Sequence, residues 1–150
     1  MEGLILNDMR GFTLLELLLV IATITILAAI AIPVYSNLQV KNDLDVATNT
    51  TLQTLRRAQV LSQTVDGDNT WGVKLQTSGI SLFKGASYAG RDINFDEDYS
   101  LNGNVTPTGV TEVVFSKLLG IPNTTGTLTL TNTNSEVQNI TIGSKGQLDY

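Results

Sequence analysis

The sequence predicts an α+β chain: one long N-terminal helix, with a transmembrane first half and an amphipathic second half, packed on a small antiparallel β-sheet domain. Three observations carry this. Residues 12–32, FTLLELLLVIATITILAAIAI, contain seventeen apolar residues out of twenty-one. Beyond Pro33 the pattern Val34, Leu38, Leu44, Ala47, Thr51, Leu55, Ala58, Leu61 and Val65 runs mostly at three- and four-residue spacing, the period of one helix face. From residue 65 onward, short stretches alternating Thr or Asn with Leu, Val or Ile are separated by turn residues, the signature of strands.

Composition narrows the chemistry. The 150 residues suit one domain, with nine Lys+Arg against fourteen Asp+Glu for a net charge of −5. That balance disfavours nucleic acid or anionic lipid as a partner chosen by charge alone. The absence of cysteine excludes disulfides, thiolate nucleophiles and cysteine-ligated metals. The absence of histidine removes the commonest general base and transition-metal ligand. No nucleophile–base constellation is visible, so the reading is not an enzyme and needs no cofactor. Charged residues make up 15%, below the ~25% usual for a soluble chain, and twenty Thr and twelve Asn fill the gap.

Taken in order, residues 1–11 form a short polar leader containing Glu2, Asp8 and a single Arg10. Residues 12–32 would span roughly 31 Å as a helix, the thickness of a bilayer core. A removed signal peptide, a plain anchor and a specialised membrane helix compete for this run. A signal peptide wants a basic start and a shorter, uncharged apolar core; Ala29-Ile30-Ala31 supplies only its cleavage pattern. Glu16 distinguishes the specialised helix, because a carboxylate in lipid costs roughly 2.5–3.5 kcal/mol and the run has no Lys, Arg or His to pair with it. Residues 33–64 read as the amphipathic half of the helix, kinked at Pro33 and stopped by Asp66-Gly67-Asp68-Asn69. Residues 65–150 read as the β-rich globular domain. It has a hairpin at 71–76 and 80–84, an edge strand or loop over 93–95 and 99–101, and a short strand at 113–115. A second hairpin at 127–131 and 137–142 follows, then a last segment at 147–150.

Gly11-Phe12-Thr13-Leu14-Leu15-Glu16 resembles the cleavage and methylation motif of type IV prepilins and type II secretion pseudopilins. The likeness continues through the apolar run to Pro33, where family members carry a helix-kinking proline, and covers about residues 7–40. It implies a pilin-like fold and a cut after Gly11 by a prepilin peptidase and methyltransferase. It further implies N-methylation of Phe12, and filament assembly in which Glu16 and Pro33 take part. The implied partners are that enzyme, other pilin or pseudopilin subunits, an inner-membrane assembly platform, and membrane lipid before assembly. The implied location is the cytoplasmic membrane, single-pass with the C-terminal domain outside, and then an extracellular or periplasmic filament serving adhesion, DNA uptake, motility or protein secretion. The physics agrees with the pairing: an ammonium released on Phe12 and the Glu16 carboxylate, about 4 Å apart, attract by on the order of 4 kcal/mol at an effective dielectric of 20. The leader departs from the family in its one basic residue, and the cysteine pair of many major pilins is absent. Leu55-Arg56-Arg57-Ala58-Gln59, Trp71-Gly72-Val73, and Ile140-Thr141-Ile142 with Gly146 resemble FimT-like minor pseudopilins. The alternative function is a single-pass, membrane-anchored extracytoplasmic binding domain that does not polymerise.

Other features have simpler readings. Asp66 and Asp68 offer hard oxygen ligands for Ca²⁺, but the segment lacks the EF-hand glycine and distal glutamate and reads as a helix-stop turn, with no metal assigned. Arg56-Arg57 suits pairing with nearby acids better than DNA. Four N-x-T triplets, at Asn49, Asn104, Asn123 and Asn139, suit solvated strands better than glycosylation. Trp71 suits a core position beside the helix.

Overall fold

The computed structural model describes residues 11–150, without the side chains of 30–34. It contains one α-helix, α1 (Leu14–Gln63), a single 3₁₀ turn (Asp66–Asp68) and eight strands. The strands are β1 (Trp71–Gln76), β2 (Gly79–Lys84), β3 (Asp92–Ser100), β4 (Val105–Gly109), β5 (Glu112–Phe115), β6 (Gly126–Asn132), β7 (Val137–Ile142) and β8 (Leu148–Asp149). The chain divides into two compact units, up to Ser36 and from Asn37 onward.

The expected fold class is corrected in two respects. Among the described residues no helix is long and apolar enough to cross a membrane. The apolar stretch whose side chains are described, Leu14–Ala29, rises about 24 Å at 1.5 Å per residue, against a hydrocarbon core of about 30 Å, and it carries Glu16, Thr23 and Thr25. The transmembrane half at 12–32 and the single-pass placement in the cytoplasmic membrane, on which the anchored-domain alternative depends, are overturned by this finding. Secondly, the strands build two four-stranded antiparallel sheets rather than one small one, in the orders β3-β2-β1-β5 and β4-β6-β7-β8. The chain alternates between them: β3 lies in the first sheet, β4 in the second, β5 in the first and β6 in the second.

In the second unit, α1 buries Leu44, Ala47, Thr48, Thr51, Leu52, Thr54, Leu55, Ala58 and Ser62, a stripe at helical spacing. Buried threonines fit this stripe because each hydroxyl is satisfied within the helix. Thr48 donates to Leu44 C=O at 2.8 Å, Thr51 to Ala47 C=O at 2.7 Å and Thr54 to Thr50 C=O at 2.7 Å. Their methyl groups then pack without an unpaired polar atom. The core joins this stripe to Trp71, Val73, Ile80, Leu82 and Phe115 of the first sheet and to Val105, Leu128, Leu130, Ile140 and Ile142 of the second.

The end of α1 is tied to both sheets. Trp71 N–H donates to the Ser62 hydroxyl at 2.9 Å, which anchors the start of β1 to the last helical turn. The Gln59 amide donates to the carbonyls of Gly120 and Gly146, both at 3.1 Å. Arg57 pairs with Glu97 of β3 at 2.6 Å. Val65 stops the helix in the left-handed region at φ 56.

Candidate processing and assembly site

Gly11, Phe12 and Thr13 are non-helical, and α1 begins immediately after them. The residues before Gly11, and with them the leader expected over residues 1–11, lie outside the described residues. Thr13 is the N-cap: its hydroxyl accepts the Glu16 N–H at 3.2 Å, and its carbonyl accepts the Leu17 N–H at 3.1 Å as the first helical bond. Thr13-x-x-Glu16 is therefore the pattern of a capping box, and the Glu16 carboxylate also sits in the first turn, where the helix dipole favours negative charge. The sequence reading missed this local role. Its signal was a Thr followed three residues later by Glu at the head of an apolar run.

Phe12 is 82% exposed and Glu16 is exposed beside it. Among the described residues, a Cβ built on Gly11 meets nothing within 4 Å. Pro33 lies within α1, and its side chain is outside the described residues.

From Leu17 to Ala29 the helix is exposed and, apart from Thr23 and Thr25, apolar. Each of ten large apolar side chains from Leu14 to Leu27 is at least 43% exposed. The polar groups among them are internally satisfied: Thr23 donates to Val20 C=O at 2.8 Å and Thr25 to Ile21 C=O at 2.7 Å. Leu17–Ala29 contains no ionisable residue. A contiguous apolar surface of this extent marks an interaction site.

The remaining candidates are structural in their contacts. Asp68 pairs with Lys117 at 2.6 Å, and that hydrogen bond holds its carboxyl below the usual carboxylate range. The Asp66 carbonyl accepts the Trp71 indole N–H at 3.0 Å. Among the described residues no group of three or more acidic side chains is arranged to hold a metal. Trp71 is 4% exposed in the core. Asn104 donates to Asp43, Asn49 donates to the Asp45 carbonyl, Asn123 accepts Val114 N–H, and Asn139 accepts the Thr129 hydroxyl.

On the outer face of the first sheet a groove of about 410 Å³ is bordered by Ser81, Tyr88, Asp98 and Tyr99. Ser81 donates to Asp98 across the β2–β3 register. Arg91 closes the neighbouring loop by pairing with Asp96 at 2.7 Å while its guanidinium lies 3.7 Å from the Tyr88 ring centre. These contacts pin the β2–β3 connection over the sheet.

Comparison with family models, with curated proteins and with solved structures gives no match.

Proposed function

We propose that the chain is a pilin-like structural subunit, cut between Gly11 and Phe12 by a prepilin-type peptidase, methylated on Phe12 and polymerised through its N-terminal helix. The observation that carries this reading is the display of the motif: Gly11 and an 82% exposed Phe12 stand in non-helical backbone immediately before a capped helix with an exposed apolar surface. A peptidase needs an accessible scissile bond outside regular helix, and Gly11–Phe12 stands in such backbone. The exposed apolar surface is covered by the same surface of other copies, side by side in a filament core. In that core the Glu16 carboxylate of one copy pairs with the Phe12 ammonium of another, which fixes their axial register. A desolvated pair of this kind is strongly directional, since removing one partner leaves a buried charge.

The test separates pairing from capping. Glu16→Gln keeps the capping-box pattern, which glutamine also satisfies, but removes the charge. Thr13→Ala removes the cap but keeps the carboxylate. On co-expression with a prepilin-type peptidase and its assembly machine, Glu16→Gln should be cleaved normally yet lose most sheared filament, while Thr13→Ala should retain the larger share. Equal loss in both would reduce Glu16 to a helix cap, and wild-type filament yield from Glu16→Gln would remove the pairing altogether.

A further inference from the structure

Of the twelve asparagines, only Asn102 is followed by glycine. The pair lies in the connection from β3 to β4, where the chain leaves the first sheet for the second. Leu101 belongs to the core, whereas Asn102 and Gly103 are exposed. The Val105 N–H donates to Asn102 C=O at 3.0 Å, closing a β-turn with Gly103 and Asn104 at its centre. That bond does not use the Gly103 N–H, which has no backbone partner among the described residues. A Cβ built on Gly103 meets nothing within 4 Å, so the peptide is open to approach.

These are the conditions for attack of a backbone nitrogen on the preceding side-chain amide. The Gly103 nitrogen forms a bond to Asn102 Cγ, the Cγ–Nδ2 bond breaks, and ammonia leaves with the proton that the backbone nitrogen gives up. Water then opens the resulting five-membered imide at either carbonyl, leaving aspartate or isoaspartate at position 102. A side chain on the following residue hinders the attack, and glycine has none. Asn134 is followed by the small Ser135, but the Ser135 N–H is engaged with Asn132 C=O at 3.0 Å.

The fold places the consequence against α1. The Asn102 and Asn104 side-chain amides both donate to one oxygen of Asp43, at 2.8 and 2.9 Å. They tie the turn to the helix beside a groove of about 340 Å³ lined by Asp43, Val46, Ala47, Thr50 and Leu101. Exchanging the Asn102 –NH₂ for oxygen turns a donor into an anion at hydrogen-bond distance from a carboxylate. An attraction becomes a like-charge contact, and Asn104 alone is left to hold the turn.

We propose that Asn102-Gly103 is a site of spontaneous deamidation, and that its conversion loosens the β3–β4 turn from Asp43 of α1. The reaction consumes only water, and the inference does not rest on the processing proposed above.

The test holds the full chain in warm, mildly alkaline buffer, which favours loss of the proton from the attacking nitrogen. Peptide mapping should find the mass rise of –NH₂ to –OH at Asn102, split between two chromatographically distinct products. Gly103→Ala should slow this conversion at least about tenfold. Asn102→Asp, which encodes one of the products, should lower the melting temperature by about 2–4 °C, and less in high salt. Adding Asp43→Asn to Asn102→Asp should recover most of that shift, because the pair again has one donor and one acceptor. General damage to the fold would not be repaired in this way. An Asn102 that stays intact, or one that converts as fast with Gly103→Ala, would overturn the site. A parental melting temperature for Asn102→Asp, or a double variant no more stable than the single, would overturn the loosening.

Discussion

Ser62 is fully buried at the junction of helix, 3₁₀ turn and first strand, and its hydroxyl is the acceptor of the Trp71 N–H at 2.9 Å. Ser62→Ala is nearly isosteric, so it leaves little cavity; what it removes is the side-chain acceptor of a buried backbone N–H. Losing a buried hydrogen-bond partner of this kind costs about 1–3 kcal/mol, and the weaker bond that the same hydroxyl donates to Trp71 C=O at 3.4 Å is lost with it. Trp71 is the sole tryptophan and sits in the core of the second unit, so its fluorescence during urea unfolding reports that unit specifically. The variant should lose about 1–3 kcal/mol with an unchanged denaturant slope. Thr64→Ala, which removes an exposed hydroxyl bonded to Val60 C=O, should stay within about 0.5 kcal/mol of the parent. Equal midpoints for Ser62→Ala and the parent would refute the assignment of Ser62 as the tie between α1 and β1.

Two further outcomes follow from the globular unit. Tyr99 donates to Glu97 at 2.9 Å, and that hydrogen bond, with burial and the carboxylate charge, raises its pKa above the ordinary 10.0. Because the folded value is the higher one, the stabilisation is fully present below pH ~10 and is lost as pH rises through the folded pKa. Ultraviolet titration should show a late-ionising tyrosine, and Glu97→Gln should move that ionisation to lower pH. Gly146 has φ +83, and a Cβ there would sit 2.3 Å from the Gln59 amide nitrogen and 2.8 Å from Gly120 C=O. Gly146→Ala should therefore destabilise by more than the roughly 1 kcal/mol of an ordinary left-handed alanine, read as a lowered melting temperature.

Local patterns located most strands because each announces itself within a few residues. The Thr77-Ser78 turn separates β1 from β2, and alternating Thr and Leu mark β6. β4 escaped because Val105-Thr106-Pro107-Thr108-Gly109 reads as loop; proline is tolerated since β4 is an edge strand. β3 looked like two fragments because its acids interrupt the apolar pattern. It is one nine-residue edge strand, with Asp96 and Glu97 matched by Arg91 and Arg57. The division into two sheets was not legible, because which strand pairs with which is decided by contacts distant in sequence, as when Trp71 of β1 pairs with Phe115 of β5. At the candidate site, the resemblance drew out Gly11, Phe12 and Glu16 and hid the N-cap role of Thr13. The membrane span was expected from the length of an apolar run, but among the described residues no helix is both long and apolar enough to cross a membrane.

The most direct test of the proposed processing is the intact mass and N-terminal sequence of the full chain after co-expression with a prepilin-type peptidase. The mature protein should begin at Phe12, lack residues 1–11 and carry one added methyl on its N-terminal nitrogen. A chain that keeps residues 1–11, or one that begins elsewhere, such as at Ile32, would contradict it.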